Sequence, residues 1–251
     1  MTTSANSFPA SLIHLPETNS TNSYLQALCN RQPVEELTTV LTDFQSAGRG
    51  QRGNSWESEP YKNLLFSLVL YPTFLEARQQ FLISQMVSLA IKEILDEYTP
   101  DISIKWPNDI YWKEKKICGI LIENDWMGRS ISQSIIGVGI NINQAAFYSP
   151  APNPVSLFQI TCTETDTQTI LQAILLRIKA YYQSARQGNT KEITQRYEQA
   201  LFRKTGMHRY QDAQGAFLAH ILRVEPEGRL ILEDEKGMQR GYMFKEVEYL
   251  L

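Results

Sequence analysis

Apolar residues recur along this chain with two different periods, and each period predicts a different kind of element. Runs rich in valine, leucine and threonine predict strands over residues 37–44 and 63–71. Between residues 74 and 98 the apolar residues return at every third or fourth position, with charged residues between them. That spacing predicts a long amphipathic helix.

The remaining segments fall into blocks of strands and helices. The sequence predicts a strand at residues 11–15 and then a helix capped by Ser20 or Thr21. Strands are predicted at 101–106, 110–112, 117–123 and 131–142, and helices at 167–187 and 190–202. This order predicts an α+β fold, a mixed sheet with helices on one face.

The pattern changes at about residue 205. Short strands at 217–224, 229–233 and 241–249 are separated by Glu-Gly and Lys-Gly turns, which is typical of a small β-barrel. We therefore expect two domains, residues 1–204 and residues 205–251.

Composition narrows the class of protein. The chain has 251 residues, of which 43% are hydrophobic and 20% charged, and this excludes an intrinsically disordered chain. The net charge of −3 gives no global field that would concentrate nucleic acid or anionic membrane. The three cysteines are widely separated and have no zinc-ligand spacing. With no apolar run of membrane-spanning length, we expect a cytoplasmic protein with no membrane contact.

The first segment that carries chemistry is the glycine-rich loop at residues 48–53, GRGQRG. Glycines let backbone amides turn toward an anion, and Arg49 and Arg52 supply forked donors that match phosphate or carboxylate. The loop lacks the Gly-Lys-Ser/Thr ending of a P-loop. A flexible hairpin loop or an RNA-contacting segment stays open as an alternative.

The second segment is KWPND at residues 105–109, followed by KICGIL at residues 116–121. Pro-Asn-Asp favours a tight turn between strands, which alone would explain it. Lys116, however, stands at the start of an apolar strand, where its ammonium could point into a pocket. Asp109 could then hold a cation or orient a donor.

The third segment is GVGIN at residues 137–141. Glycine in a strand often marks a place where a ligand or another backbone approaches closely. Gly137 and Gly139, followed by Asn141, predict a floor on which something flat lies. A β-bulge without a ligand is the alternative.

Together these motifs, in this order, resemble those of the biotin protein ligases. The resemblance runs from about Ile13 to the C-terminus and includes Ser20-Thr21-Asn22 and Trp56. It implies a catalytic core like that of class II aminoacyl-tRNA synthetases and a C-terminal SH3-like barrel. It also implies that biotin is activated with ATP and Mg²⁺ to biotinyl-5′-AMP and then transferred to a lysine of a biotin carboxyl carrier protein.

The resemblance implies residue roles as well. Lys116 and Arg49 match the catalytic positions. The positions that match biotin-binding residues are Ser20, Thr21, Asn22, Gln45, Arg49, Gly50, Gln51, Lys116, Gly119 and Gly137. The positions that match ATP- or adenylate-binding residues are Arg49, Gln51, Arg52, Trp56, Asn108, Asp109, Lys116 and Asn141. The sequence does not identify metal ligands.

The chain departs from the family pattern in two places, and each departure leads to an expectation. Gln51 stands where the family has arginine, so one charge-assisted contact to the adenylate, worth about 1.5–3 kcal/mol, is absent unless Arg52 replaces it. Few residues precede Ile13, where regulatory members carry a helix-turn-helix, so we expect a monofunctional ligase that does not bind DNA. Both a monomer and a homodimer stay open.

Two other functions compete with this interpretation. A lipoate or octanoyl ligase or transferase of the same superfamily would show a different context around the lysine, and the transferase often has a catalytic cysteine; Cys118 is nearby. A non-enzymatic biotin or adenylate sensor would keep the pocket but could lose Lys116 or Asp109. Both residues are present.

Overall fold

The computed structural model describes residues 11–149 and 152–250. Its larger part holds seven strands and five α-helices. In chain order these are β1 (Leu12–Leu15), α1 (Thr21–Arg31), β2 (Thr39–Thr42), β3 (Leu64–Leu70), α2 (Phe81–Asp96), β4 (Ile102–Lys105), β5 (Asp109–Trp112), β6 (Lys115–Met127), β7 (Ser130–Ile140), α3 (Leu157–Thr161), α4 (Thr167–Arg186) and α5 (Thr190–Gln199).

The seven strands form one mixed sheet, in the order β1-β2-β3-β7-β6-β5-β4. The β1–β2 pair is parallel and the other pairs are antiparallel. The central strand β7 lies between β3 and β6. Both of these neighbours contain long apolar runs. The predicted α+β class and mixed sheet are confirmed.

The helices lie on both faces of this sheet, so the expectation of one covered face is wrong. Along β3, the side chains of Phe66 and Leu68 point into the apolar layer with α2, α4 and α5. Val69 points the opposite way and packs with Leu25 of α1. Successive residues of a strand alternate between faces, so α1 and α2 must lie on opposite sides. The periodicity of α1 shows that it has an apolar face but not which face of the sheet it covers.

The long predicted helix is shorter than its periodicity indicated. α2 begins at Phe81, and the residues before it form turns and a short 3₁₀ helix at Ala77–Gln79 instead. The Ala77 amide donates to the Arg129 carbonyl (2.8 Å), and Glu76 pairs with Ser130 at the start of β7. These bonds to a strand replace the i to i−4 bonds that a helix would need over residues 74–80.

The smaller part is a five-stranded antiparallel sheet. Its strands are β8 (His208–Asp212), β9 (Gly215–Val224), β10 (Leu230–Asp234), β11 (Gln239–Tyr242) and β12 (Glu248–Tyr249), in the order β11-β10-β9-β8-β12. The sequence analysis did not predict β8, and it predicted β11 and β12 as one strand. In the structure these two strands are separated by the turn that Met243, Phe244 and the residues after them form.

Contacts join the two sheets close to the predicted site. The Trp106 indole Nε1 donates to the Gly228 carbonyl in the β9–β10 turn, at 3.0 Å. Gly228 also lies against the Phe81 ring, which a Cβ at this position would approach to 2.7 Å. Over residues 11–149 and 152–250, no helix combines the length and apolarity needed to cross a bilayer.

Candidate active site

The predicted motifs meet at two adjoining cavities on the α1 side of the sheet. The first cavity, of about 130 Å³, is lined by Ser20, Thr21, Asn22, Gln45, Arg49, Gly50, Gln51, Asn54, Ser55, Trp56, Asn108, Asp109, Lys116, Gly119, Ile120, Leu121, Gly137, Val138, Gly139 and Phe244. The second, of about 530 Å³, is lined by Gly53, Asn54, Ser55, Trp56, Glu57, Lys105, Asp109, Tyr111, Lys116, Asn141, Phe147, Ser149, Pro152 and Pro154. The two cavities meet at the residues that line both of them, Asn54, Ser55, Trp56, Asp109 and Lys116.

A chain of hydrogen bonds forms the polar end of the first cavity. Ser20 caps α1, which directs the next two side chains toward the sheet. The Thr21 amide donates to Gln45 Oε1 (2.8 Å), and the Thr21 hydroxyl donates to the same oxygen (3.2 Å). The buried Ser67 hydroxyl of β3 lies 2.6 Å from both Thr21 Oγ1 and Asn22 Oδ1. These polar groups are held in fixed positions by one another.

Glu123, near the middle of β6, extends this chain to the glycine-rich loop. Its carboxylate accepts two hydrogen bonds from the Arg49 guanidinium, Nη1 to Oε1 at 3.0 Å and Nη2 to Oε2 at 2.8 Å. Oε2 also accepts from Asn22 Nδ2 at 2.8 Å. One carboxylate therefore ties the loop to the first turn of α1.

Three glycines leave space for side chains of the site. A Cβ at Gly137 would lie 2.2 Å from Asn22 Oδ1. A Cβ at Gly119 or Gly139 would lie 2.8 Å or 2.6 Å from the Trp56 indole. Something flat does lie on the predicted floor, and in this structure it is the ring of Trp56. The sequence alone did not show that this flat group would be a side chain of the protein itself.

The Trp56 indole separates the two cavities. Its Nε1 is buried and has no hydrogen-bond partner within the described residues. The Lys116 ammonium lies 5.7 Å from the ring centroid, on the boundary between the cavities.

Lys116 and Asp109 form an ion pair at the junction of the cavities. Lys116 Nζ is 2.6 Å from Asp109 Oδ1, and both side chains are largely but not fully buried. The β5–β6 hairpin brings them together, since Asp109 begins β5 and Lys116 lies near the start of β6. The sequence analysis expected that the Lys116 ammonium could point into a pocket and that Asp109 could hold a cation or orient a donor, and the structure places both residues in the lining of the two cavities.

Lys105 adds a second cation to the second cavity. Its Nζ is 3.0 Å from the Tyr111 hydroxyl oxygen, and burial lowers the pKa of Lys105 from its ordinary value. The sequence treated this lysine only as part of the turn motif.

Asn108 and Asn141 differ in the cavity that they line and in their hydrogen-bond partners. Asn108 is buried, donates to the Ile120 carbonyl, and lines the first cavity but not the second. Asn141 Nδ2 donates to the Val155 carbonyl (3.1 Å), whereas its Oδ1 has no partner among the described groups. Of these two asparagines, Asn141 is therefore the one that has a polar atom without a described partner and lines the second cavity. The side chain of Arg52 lies outside the described residues.

Two residues of the site, Ser67 and Glu123, were missed from the sequence. Ser67 carries a weak signal, since it is the one hydroxyl within the apolar strand β3. Glu123 carries no such sequence signal, because it stands at the end of an apolar run, where a solvated charged residue is common.

A third cavity, of about 180 Å³, lies between the two sheets and shares Gln51, Asn108 and Phe244 with the first cavity. Its other lining residues are Gln80, Phe81, Ser84, Trp106, Pro107, Ile122, Asn124, Glu227, Gly228 and Met243. Among the described side chains, Glu227 is the one charged group in that lining.

The site has no thiol nucleophile. Cys118 is fully buried, and its burial raises the pKa of the thiol well above the ordinary value. A thiolate is the reactive form, so Cys118 is suited to packing rather than to acyl transfer. Among the described residues there is also no group of three or more His, Cys, Asp or Glu side chains that could hold a metal ion.

Comparison with known proteins agrees with this geometry. The biotin/lipoate A/B protein ligase family model matches residues 15–141, which include all three motifs. The bifunctional ligase/repressor BirA of Bacillus subtilis is 31% identical over 237 residues, covering 92% of this chain and 72% of that protein. The chain belongs to the biotin/lipoate A/B protein ligase family.

Other members of the family give the same result. A biotin--[acetyl-CoA-carboxylase] ligase of Paracoccus denitrificans is 32% identical over 64% of this chain and 68% of its own length. The structure of an Aquifex aeolicus biotin protein ligase in complex with biotin and ATP matches with a TM-score of 0.79. It is 27% identical and covers 96% of this chain and 99% of that chain.

Proposed function

We propose that this protein is a biotin protein ligase. It activates biotin with ATP to biotinyl-5′-AMP and transfers the biotin to a lysine of a biotin carboxyl carrier protein. The observation that carries this proposal is the meeting of two cavities at Lys116, one polar at one end and one with two lysines, Lys105 and Lys116, in its lining. The names of the relatives support the acceptor, because one of them is a biotin--[acetyl-CoA-carboxylase] ligase.

The first cavity takes biotin. Its closed end presents the amide and hydroxyl groups of Thr21, Asn22 and Gln45, which match a ureido ring that both donates and accepts hydrogen bonds. The Trp56 ring, which lies over Gly119 and Gly139, offers apolar surface for the rest of the molecule. This arrangement directs the biotin carboxylate toward Lys116.

The second cavity takes the nucleotide. Asn141 Oδ1 is an unpaired acceptor there, and Trp56 offers an aromatic face on which a purine can stack. Since Trp56 lines both cavities, the adenylate would bend around this ring, with its phosphate at the junction.

The chemistry joins two anions, and fixed positive charge lowers its barrier. A biotin carboxylate oxygen attacks the α-phosphorus of ATP, an O–P bond forms, and pyrophosphate leaves with the electron pair of the broken P–O bond. Lys116 leaves Asp109 for the substrate oxygens, while Arg49 stabilises charge from the loop. In the second step the acceptor amine attacks the acyl carbon, AMP leaves, and no enzyme nucleophile takes part.

Mg²⁺ fits this site as a partner of the ATP phosphates. Mg²⁺ is usually held by one or two carboxylates together with substrate phosphates, and the second cavity offers Asp109 and Glu57. The ion would neutralise phosphate charge during the transfer.

The third cavity admits the acceptor lysine. It opens onto the first cavity beside Gln51, and its walls are apolar apart from amides, one hydroxyl and the carboxylate of Glu227. A carboxylate in a groove that has no other described charged side chain favours an ammonium group over an anion. The acceptor would thus reach the acyl carbon from the side opposite to the nucleotide.

The finer architecture is part of this proposal. The five short antiparallel strands support an SH3-like barrel, and the mixed sheet supports a core like that of class II aminoacyl-tRNA synthetases. The two-domain division near residue 205 fits the two sheets. A cytoplasmic location, the absence of DNA binding and the choice between monomer and homodimer stay predictions of the sequence.

The decisive experiment is incubation with ATP, Mg²⁺ and labelled biotin, with and without a biotin carboxyl carrier domain. We expect pyrophosphate release with biotin alone and covalent label only when the carrier is present. Preference for lipoate or octanoate in the same assay would favour the related ligases. Tight biotin binding without pyrophosphate release would favour a sensor.

A further inference from the structure

The Arg49 side chain depends on a single charged partner for its position. The backbone around it is paired with residues 54–56, through an Arg49–Ser55 bridge and a hydrogen bond from the Trp56 amide to the Gly48 carbonyl at 2.9 Å, whereas the long side chain leaves this loop toward the cavity. In the described structure its guanidinium forms one salt bridge, the bidentate pair with Glu123. Bidentate pairing fixes both the distance and the plane of a guanidinium, which a single contact does not do.

Glu123 itself is anchored in the sheet. It pairs with Ile135 in the β6–β7 ladder and lies between hydrogen-bonded neighbours on both sides. The same carboxylate oxygen that binds Arg49 Nη2 also accepts from Asn22 Nδ2. Asn22 Nδ2 also donates to the Leu121 carbonyl at 3.3 Å, so Glu123 and Leu121 together orient the Asn22 amide with its Oδ1 facing the Ser67 hydroxyl.

We propose that Glu123 is a positioning residue for the ligase reaction: it holds the Arg49 guanidinium at the rim of the first cavity before biotin binds. This inference rests on the proposed function. Without Glu123, the binding of biotin would also have to order the Arg49 side chain. That ordering lowers affinity for biotin more than it slows the reaction of bound substrate.

The test compares Glu123→Gln with Asp125→Asn. Asp125 lies two residues further along β6 on the same face, and its carboxylate binds Gln26 and Gln133, neither of which lines the first cavity. We expect Glu123→Gln to raise the KM for biotin about tenfold in pyrophosphate release, with kcat changed less than threefold. We expect Asp125→Asn to match wild type and Glu123→Asp, which keeps the charge, to restore much of the affinity.

Calorimetric binding of biotin to double variants separates a positioning role from general destabilisation. If Glu123 acts through Arg49, Glu123→Gln weakens biotin binding about tenfold in the wild-type background but less than threefold in an Arg49→Ala background. An equal loss in both backgrounds would overturn the proposal. So would a KM for biotin unchanged from wild type.

Tryptic cleavage gives a readout that needs no activity. We expect cleavage after Arg49 to be several-fold faster in Glu123→Gln than in Asp125→Asn, with the other cleavage sites unaffected. Equal rates after Arg49 would contradict the anchoring role. If wild type itself released no pyrophosphate, the proposed function would fail, and the cleavage result would still decide whether Glu123 holds the loop.

Discussion

The indole of Trp56 lies on Gly139 so closely that a Cβ at Gly139 would come within 2.6 Å of the ring. Gly119, its partner across the β6–β7 ladder, faces the same ring. The two glycines therefore act on the site indirectly. They set the height of the ring that separates the two cavities.

Replacing Gly139 by alanine should displace this ring without unfolding the protein. Alanine suits a strand better than glycine does, so we expect the free energy of unfolding to change by less than about 1 kcal/mol. Adenylate formation should fall about a hundredfold, because the reacting groups on both sides of Trp56 are misplaced. Denaturant unfolding and pyrophosphate release measure the two effects.

The matched control is Ile140→Val, one residue along on the opposite face, where the side chain is fully buried. It should show the reverse behaviour, a loss of about 0.5–1.5 kcal/mol in stability with the rate retained. A normal rate for Gly139→Ala would show that Trp56 has no part in separating the substrates.

Lys116→Ala should nearly abolish pyrophosphate release and leave the fold intact. The ammonium is the cation at the junction of the cavities, and a charge-assisted contact made in the transition state contributes at least a hundredfold in rate, about 2.7 kcal/mol. The control is Lys113→Ala, since Lys113 is exposed and its distance to Asp101 is 3.9 Å. A Lys116→Ala enzyme with a near-normal rate would contradict the assignment.

Gln51→Arg should slow the escape of biotinyl-5′-AMP. Gln51 lines both the first and the third cavity, so a guanidinium there would stand between the adenylate and the opening. One recovered contact of about 1.4 kcal/mol corresponds to a tenfold longer residence. The measurement is the dissociation rate of preformed adenylate without carrier. Identical rates would mean that another group already fills this role.

Glu227→Lys should impair transfer without impairing activation. A positive charge in the third cavity would repel the acceptor ammonium, so the KM for the carrier should rise at least tenfold. Pyrophosphate release with biotin and ATP alone should stay within twofold of wild type. Glu235→Lys is the control, because it makes the same charge change in the next turn of the same sheet, at an exposed position. Normal transfer by Glu227→Lys would place the acceptor elsewhere.

Local patterns were sufficient to predict most of the elements. The strands around the KWPND turn and the central β6–β7 pair follow from short apolar runs with turn residues between them. The loop residues of the site were predictable because their chemistry is concentrated in short motifs. Arg49 and Lys116 do meet at one cavity, as the resemblance implied.

The parts that sequence did not predict depend on contacts between distant residues. Glu123 meets Arg49 across 74 positions, and Ser67 meets Asn22 across 45. The periodicity of apolar residues along a short segment carries no information about such long-range contacts. For the same reason the sequence does not determine which face of the sheet α1 packs on. Amphipathicity shows that the helix has an apolar side but not which element packs against that side.

Ser67 makes the pairing register of β3 a condition for ligand recognition. In the native register Ser67 lies opposite Gly137 and Val40, with Phe66 and Leu68 directed into the helical layer. A slip of one residue would bury the hydroxyl in that layer and place an aromatic or aliphatic side chain against Thr21. Misregistered β3 would lose core packing and the polar end of the cavity together. The register of β3 that packs Phe66 and Leu68 into the core is thus the same register that brings Ser67 to the polar end of the cavity.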